Sequence, residues 1–423
     1  MAANKNLSEQ LFNPKFDYPE TSSLVQRNDS FAYQIGSVLD GENRDNWYRI
    51  INRLAWHWRG LPLLDVEEVL SRIAVSTRKH SYDKWLDTVI GYQAGNWIYE
   101  FLAKAVIWQK KAENYHEDDE AVQLKFRCHQ AWLTASLFAS LASYPHYRND
   151  DLAIQAQMFA NRYYREAMNH SEYQIKDLEF IVDNKPVKAI LHTPLKIDET
   201  PKAFPVVFLC AGLSNLQIEF YNYFSQYLAP HGVGLLTVDT PSLGYSRQFN
   251  LSQNTSIIHQ SILEQIKTVP LIDYDNIILL GHRFGANIAT RLAYLMPNKI
   301  KGIINVAPIL HQLFVDRQMQ TSLPPIYRDI IASRLGVNGI SDQQLMAELK
   351  FFSLKEQGLL ARPCSVPVLN IHYEGDVMSS LNEIKLLTSS KKVSLVQLKS
   401  LSLKESLKQS SAQSAKWIEA LIK

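Results

Sequence analysis

Residues 277–286 read Ile-Ile-Leu-Leu-Gly-His-Arg-Phe-Gly-Ala, and this stretch decides how the chain is interpreted. A short apolar run ends in Gly-x-Arg-x-Gly, and a helical pattern of apolar residues begins directly after it. Strand, sharp turn and helix in this order are typical of the nucleophile elbow, Gly-x-Ser-x-Gly, which presents a catalytic serine. Arg283 stands where that serine would be. The stretch therefore predicts the frame of an elbow without its nucleophile.

Apolar runs on both sides of the elbow predict the other strands of a sheet. They are short and continuously apolar, as in strands buried on both faces, and helical patterns lie between them. The predicted strands span residues 205–210, 234–239, 276–280, 302–306, 367–371 and 393–398. The predicted helices span residues 220–229, 257–267, 286–295 and 381–387, with a terminal helix that contains Trp417. Together with a hairpin over residues 173–192, this alternation predicts an α/β fold: a mostly parallel sheet with helices on both faces.

The chain before residue 170 is predicted to be helical, because its apolar residues recur at helical spacing. Asp45 is the expected N-cap of a helix that Gly60 ends, and residues 65–68 predict a capping box for a second helix. Three more helices are predicted over residues 96–109, 119–142 and 150–168, with a charged loop over 110–120. We therefore predict a helical N-terminal domain with an extended arm (1–170), followed by an α/β-hydrolase-like domain (171–423).

Residues 309–363 are too many for a plain connection between a strand and a helix. They contain helical patterns near residues 326–335 and 342–349. An insertion above the carboxyl edge of the sheet is where a lid would lie. The segment is therefore predicted to be a helical lid.

Composition excludes several classes of function. A net charge of +2 from 44 basic and 42 acidic residues gives no sign of nucleic-acid binding. The three cysteines are widely spaced, which indicates a reducing compartment without disulfides or a zinc site. The start of the chain lacks a signal-peptide pattern, and no apolar run is long enough to cross a membrane. We expect a cytoplasmic protein with no membrane or nucleic-acid partner, and with no cofactor or metal.

Four predicted loops meet at the carboxyl edge of the sheet, where open α/β sheets carry their sites. They span residues 211–215, 239–246, 281–285 and 372–377. Arg283 occupies the nucleophile position and Asp376 the position of the catalytic acid, while no histidine follows His372. A guanidinium stays protonated and cannot attack a carbonyl. The pattern therefore indicates that a Ser-His-Asp machine lacks both its nucleophile and its base.

What remains at this edge is a predicted anion site. Arg283 stands at a helix N-terminus, where free amides already favour negative charge. The amides of Leu213 (next to Gly212) and Phe284 would form the oxyanion hole. This geometry suits a small carboxylate or phosphate. His282 is a weaker acid/base candidate, because the turn is expected to point it away from the site.

The alternative is that Arg283 forms an internal ion pair with Asp376 or Asp239 and only holds the loops in place. Both interpretations can hold together.

Several longer motifs resemble the FrsA family, the fermentation–respiration switch proteins. They lie at residues 6–14, 47–54, 89–100, 238–246, 283–287 and 331–336. The resemblance implies an α/β-hydrolase core behind a helical N-terminal domain, in a bacterial cytoplasmic protein that acts on carboxylic esters. It also implies a link to the glucose-specific enzyme IIA of the sugar phosphotransferase system. Arginine in the elbow is the family's own residue, so the resemblance implies that Arg283 belongs there.

Two positions depart from the pattern of the family. Its loop after the third strand usually reads Gly-Gly-Leu-Asp, whereas residues 211–214 read Ala-Gly-Leu-Ser and lack that carboxylate. The usual aromatic residue of the elbow is replaced by His282. Activity that requires the aspartate would be lost at Ser214.

Two functions follow from these residues. The first is hydrolysis of a carboxylic ester by a non-triad mechanism built around Arg283, with Asp376 as the base and Ser214 as a substitute nucleophile that lacks an activating histidine. The second is a non-catalytic regulator of carbon flux, which binds a small carboxylate or the phosphotransferase protein with the same frame. Fold alone does not decide between them.

Overall fold

The computed structural model describes residues 45–115, 121–196, 200, 202–337, 340–376, 378–387, 392–399 and 402–423. The predicted arm (1–40), the first residues of the helix predicted from residue 119, and Val377 of the fourth loop lie outside these ranges.

Five helices form the N-terminal region of the described chain. They are α1 (Arg53–Arg59), α2 (Leu63–Ala74), α3 (Trp97–Asn114), α4 (Ala121–Ser143) and α5 (Asp151–Asn169). The side chains of Asn96 and Asp150 cap α3 and α5, at the residues where these two helices were predicted to begin. Because α3 continues to Asn114, the first half of the charged loop predicted over residues 110–120 is helical instead.

The first two predicted helix starts are wrong. Residues 47–51 are not helical, because the amides of Tyr48 and Arg49 donate to the Asp87 carboxylate at 2.8 and 2.9 Å. The helix begins only after Asn52, whose side chain accepts a hydrogen bond from the Ala55 amide. The second helix begins at Leu63 after Pro62, so residues 65–68 lie inside its first turns and not at its cap.

An eight-stranded sheet follows in the order β1-β2-β4-β3-β5-β6-β7-β8. β1 pairs antiparallel with β2, and β2 antiparallel with β4, while the other five pairings are parallel. The strands are β1 (Tyr173–Val182), β2 (Lys185–Lys196), β3 (Phe204–Cys210), β4 (Gly234–Val238), β5 (Ile272–His282), β6 (Gly302–Val306), β7 (Val368–Tyr373) and β8 (Val393–Leu398). The predicted mostly parallel α/β sheet is confirmed.

Helices connect these strands. They are α6 (Ile257–Gln265), α7 (Phe284–Leu295), α8 (Gln312–Val315), α9 (Arg317–Ser322), α10 (Pro325–Leu335), α11 (Asp342–Leu349), α12 (Leu381–Lys385) and α13 (Leu403–Ile422). The helix predicted over residues 220–229 is instead a series of short 3₁₀, α and π turns between residues 217 and 231. Helices α8 to α11 lie in the predicted lid.

The central strands are buried because their sequences are continuously apolar. Every residue of β4, β6 and β7 is buried. The parallel register of β3 and β5 pairs Val206 with Ile277 and Cys210 with Gly281. This register brings the ends of β3 and β5 together, so the loop after β3 lies beside the elbow after β5.

Candidate active site

The elbow keeps its strained backbone although its serine is replaced. Arg283 has φ 55° and ψ −119°, a conformation that a non-glycine residue adopts only when its surroundings enforce it. A Cβ on Gly285 would lie 1.8 Å from the backbone oxygen of Cys210, and one on Gly281 would lie 2.4 Å from the Cα of Ala286. Only glycine therefore permits α7 to pack this closely on the sheet.

Arg283 forms a buried ion pair with Asp376. Its Nη1 lies 2.6 Å from Oδ2 of Asp376, with side-chain exposures of 9% and 0%. The other carboxylate oxygen accepts the amides of Met378 and Ser379, each at 3.1 Å. Asp376 is thus held from both sides. The structure brings together the two residues that the sequence placed in the nucleophile and acid positions.

A cavity of about 280 Å³ lies against the elbow. Its wall includes residues from the N-terminal region, the carboxyl edge of the sheet, the lid and α13. Of the predicted site residues, those on this wall are Gly212, Leu213, Ser214, His282, Arg283 and Phe284. Asp376 and Asp239 are not among the described residues that line it. Asp376 therefore contacts the cavity through the guanidinium of Arg283.

Three phenylalanines that contact one another line this cavity. Phe284, Phe314 and Phe352 pack edge to face, with ring centroids 5.8 to 6.0 Å apart. Phe284 begins α7, Phe314 lies in α8, and Phe352 follows α11. Edge-to-face packing holds such rings in fixed positions. Two of the three rings thus come from the predicted lid segment, and the third belongs to the residue that follows Arg283.

His282, the weaker acid/base candidate, is a residue of the cavity wall. It lies on the cavity wall beside Arg283, at the end of β5. Burial, reinforced by the charges of Arg283 and Arg59, lowers the pKa of its imidazole to about 3. The ring is therefore neutral at physiological pH and is able to accept or donate a hydrogen bond.

Leu213 and Phe284, whose amides are predicted to form the oxyanion hole, both line the cavity. Leu213 follows β3, and Phe284 is the first residue of α7. Within the described ranges, no hydrogen bond occupies either amide. The carbonyl of Leu213, by contrast, accepts a 2.8 Å hydrogen bond from Nε of Arg334. Free donors next to the elbow would stabilise a negative oxygen in the cavity.

Asp239 forms hydrogen bonds with residues other than Arg283. Its carboxylate accepts the amide and side-chain amide of Gln217 and the amide of Tyr245, at 2.9 to 3.1 Å. Burial raises the pKa of this carboxyl to about 6, although the three hydrogen bonds oppose the shift. Asp239 therefore joins two loops, and of the two carboxylates predicted as alternative partners of Arg283 it is Asp376 that forms the pair.

A second ion pair, whose arginine lies on the cavity wall, was not predicted from the sequence. Arg59 of α1 lies 2.9 Å from Glu219, whose side chain has no exposed surface. The same carboxylate accepts hydrogen bonds from Ser140 of α4, the side chain of Asn215 and the amide of Leu216. Glu219 therefore ties the loop after β3 to the N-terminal helices. Its neighbours in the sequence give no sign of the contacts with Arg59 and Ser140, because these two partners lie 160 and 79 residues before it.

The described residues contain neither a recognisable metal centre nor a membrane span. No group of three or more histidine, cysteine, aspartate or glutamate side chains is arranged to hold a metal ion there. No helix in the same ranges is long and apolar enough to cross a membrane.

Comparisons with known proteins place similar sequences in one family of esterases. A family described as "Esterase FrsA-like" matches residues 2–423. The esterase FrsA of Serratia proteamaculans is 44% identical over 390 residues, which are 92% of each chain. The esterase FrsA of Yersinia enterocolitica is 42% identical over 420 residues, which are 99% of each chain. The resemblance drawn from the motifs is confirmed.

Two solved structures share the fold at low sequence identity. The 2,6-dihydroxy-pseudo-oxynicotine hydrolase aligns with a TM-score of 0.69 and 15% identity, over 87% of this chain and 95% of that chain. AbyA5 aligns with a TM-score of 0.60 and 14% identity, over 84% and 97%.

Proposed function

Because the chain belongs to the FrsA-like esterase family, with an α/β-hydrolase fold, we propose that it hydrolyses an uncharged carboxylic ester in the cavity at Arg283. The observation that carries this proposal is the position of Arg283. It stands on a strained elbow at the N-terminus of α7, faces an apolar cavity, and already has Asp376 as its counter-ion. Nearby lie two amides with no partner among the described residues.

The chemistry follows from these neighbours. A water oxygen bonds to the ester carbonyl carbon, and the carbonyl oxygen becomes negative. The amides of Leu213 and Phe284, with the Arg283 guanidinium, stabilise that charge. The proton of the water passes to the neutral ring of His282. The bond from carbon to the alcohol oxygen then breaks, and the alcohol leaves with that proton.

His282 is a weak base, because a group with a pKa of about 3 takes up a proton poorly near neutral pH. Hydrolysis is therefore expected to be slow compared with that of a serine esterase. Asp376 holds the Arg283 guanidinium and does not act as the base that the sequence suggested, since it is not on the described cavity wall. Ser214 is on the wall, but no partner that would activate its hydroxyl is found in the described ranges.

The charge balance of the site supports an uncharged substrate. Arg283 and Arg59 each have a buried carboxylate within 3 Å, so neither provides a net positive charge to a second anion. Desolvating a carboxylate in an apolar cavity without a net counter-charge is unfavourable. An ester has no such cost, and its acyl group would lie against the three phenylalanines. The carboxylate product would leave readily for the same reason.

The test compares variants of Arg283 on a neutral ester such as p-nitrophenyl butyrate. Arg283→Met removes the guanidinium and is expected to lower kcat by about 10²-fold, the range seen when one oxyanion donor is lost. Arg283→Lys keeps the charge but loses the planar fork, so an intermediate value is expected. Asp239→Asn is the matched control, since it alters a buried carboxylate at the same sheet edge away from the cavity. Turnover by Arg283→Met equal to that of the wild type would contradict the proposal.

A second candidate is a non-catalytic regulator that binds a small carboxylate. The observation in its favour is the N-terminus of α7, whose amides and Arg283 side chain both favour an anion. It predicts that acetate or butyrate raises the Tm of the wild type but not of Arg283→Met, with no turnover of any ester. Binding to the glucose-specific enzyme IIA and a cytoplasmic location stay predictions. Titration of the purified full chain with that enzyme tests the first.

A further inference from the structure

Arg334 is a fully buried arginine whose role the catalytic proposal does not use. It lies near the end of α10, in a motif that the sequence analysis assigned to the family, and has no exposed surface. No ion pair of Arg334 with a carboxylate is found in the described parts of the chain. Burial lowers the pKa of its guanidinium to about 9, so it is still charged at neutral pH. Burying a charge without a counter-ion is unfavourable, so its hydrogen bonds must compensate the cost.

All three nitrogens of this guanidinium donate to backbone oxygens. Nη2 donates to Pro145 and Nη1 to His146, each at 2.7 Å, and Nε donates to Leu213 at 2.8 Å. Two of the acceptors belong to the turn between α4 and α5. The third belongs to the loop after β3. Arg334 therefore joins the lid, the N-terminal region and the predicted oxyanion loop at one point.

The contact with Leu213 concerns a residue whose amide belongs to the proposed oxyanion hole. A residue has its amide and its carbonyl fixed to one short piece of backbone, so holding the Leu213 carbonyl restricts where the Leu213 amide points. On the far side of Ser214, the Asn215 side chain and the Leu216 amide donate to Glu219. The loop is thus fastened at both ends from outside the cavity. Its inner face is left free to bind an oxygen.

We propose that Arg334 is a positioning residue, which aims the Leu213 amide at the developing oxyanion. This inference rests on the proposed ester hydrolysis. Lysine cannot replace the arginine, because an ammonium is a point charge and cannot reach three carbonyls in a fixed fork. An oxyanion donor must lie within 2.7–3.1 Å of the reacting oxygen, so a small shift of the loop is enough to weaken it.

The contact of Tyr48 with Asp329 offers a matched control. The hydroxyl of Tyr48 donates to Asp329 at 2.6 Å, and Asp329 lies in the same helix α10. This bond also joins the lid to the N-terminal region, but it does not contact the loop after β3. Tyr48→Phe removes it, together with the hydrogen bond of the same hydroxyl to Tyr147, but it removes none of the three backbone acceptors of Arg334. A merely structural contribution of Arg334 would resemble the effect of Tyr48→Phe.

The experiment measures kcat, KM and Tm for Arg334→Lys, Arg334→Ala and Tyr48→Phe on p-nitrophenyl butyrate. We expect Arg334→Lys to lower kcat about 10-fold with KM changed less than twofold, and Tyr48→Phe to keep the kcat of the wild type. Methylguanidine is expected to restore part of the kcat of Arg334→Ala by filling the site. Amide hydrogen exchange in residues 211–215 is expected to become faster in Arg334→Lys, without a change in α7.

Three results would overturn the inference. One is a wild-type kcat in Arg334→Lys, whatever its Tm. Another is an equal loss of kcat in Tyr48→Phe and Arg334→Lys. The third is unchanged exchange at residues 211–215. If Arg283→Met keeps the wild-type kcat, the proposed ester chemistry itself has failed. If Arg283→Met loses activity and Arg334→Lys does not, only the positioning role has failed.

Discussion

The pair between Arg283 and Asp376 supports a quantitative prediction through a double-mutant cycle. The cycle consists of Arg283→Met, Asp376→Asn and the double variant. Because the two side chains are 9% and 0% exposed and lie 2.6 Å apart, removing one partner takes away the attraction that this pair gives the other buried charge. Such a change costs about 3–5 kcal/mol of the free energy of unfolding.

The two single variants should differ in a defined direction. Asp376→Asn leaves the guanidinium at the N-terminus of α7, where the helix dipole also disfavours a positive charge, so its cost lies near the upper limit. Arg283→Met leaves a carboxylate that still accepts the amides of Met378 and Ser379, so its cost lies near the lower limit. The double variant leaves no charge unpaired. We expect it to be no less stable than Arg283→Met, with a coupling energy of about 2–3 kcal/mol.

The assay is urea unfolding followed by circular dichroism, with Tm as a second measure. A loss of about 3 kcal/mol corresponds to roughly 6–12 °C in the Tm of a domain of this size. Each variant also needs a titration with butyrate. Asp376→Asn should gain affinity for this carboxylate, because the substitution removes the negative charge that pairs with Arg283 in the wild type. Single-variant losses that add within about 0.5 kcal/mol in the double variant would refute the reasoning about a coupled pair.

Three other predictions follow from the structure. His192 and His259 are buried, and burial lowers the pKa of each to about 4; the unfolded chain therefore binds protons that the folded chain does not, and stability falls as pH drops from about 6.5 to 4. The wild type is expected to lose unfolding free energy between pH 7 and pH 5, and His259→Gln should make this loss smaller by about 2 kcal/mol. Urea unfolding at both pH values measures it. A loss in His259→Gln equal to that of the wild type would contradict the reasoning. Gly285→Ala should lower the free energy of unfolding by more than about 3 kcal/mol, because the added Cβ would clash with the backbone of Cys210. Gly358→Ala is the control: a Cβ there would have no atom within 4 Å, so its cost should be about 1 kcal/mol. Equal Tm values for the two variants would count against the close packing of α7. Phe314→Ala should lower the free energy of unfolding by about 3–5 kcal/mol and raise kcat/KM for esters with longer acyl chains relative to butyrate. An unchanged dependence of kcat/KM on acyl-chain length would show that the three phenylalanines do not bind the acyl group.

The sequence predicted the sheet well, because each central strand is a continuous apolar run that folds the same way in many contexts. It predicted the elbow for a similar local reason. The two glycines and the apolar strand before them are sufficient to recognise the turn. The partner of Arg283 was narrowed to Asp376 or Asp239, and the structure selects Asp376.

The walls of the cavity could not be predicted in the same way. The wall depends on contacts between residues far apart in the sequence, such as those of Arg59 with Glu219 and of Arg334 with Leu213. No local sequence pattern indicates a contact of this kind. The first helix start was misplaced for a related reason. Asp45 and Asn52 are both good caps by type, and the choice is made by Asp87, which binds the amides between them.

The central claim is that water attacks the ester directly at a site built around Arg283, without a serine acyl-enzyme. Intact-mass spectrometry of the wild-type protein, quenched in acid during turnover of p-nitrophenyl butyrate, tests this most directly. The proposal predicts only the mass of the unmodified chain, with no burst of p-nitrophenol before steady turnover. A butyryl adduct on Ser214 or any other residue, formed and lost at the rate of turnover, would contradict it.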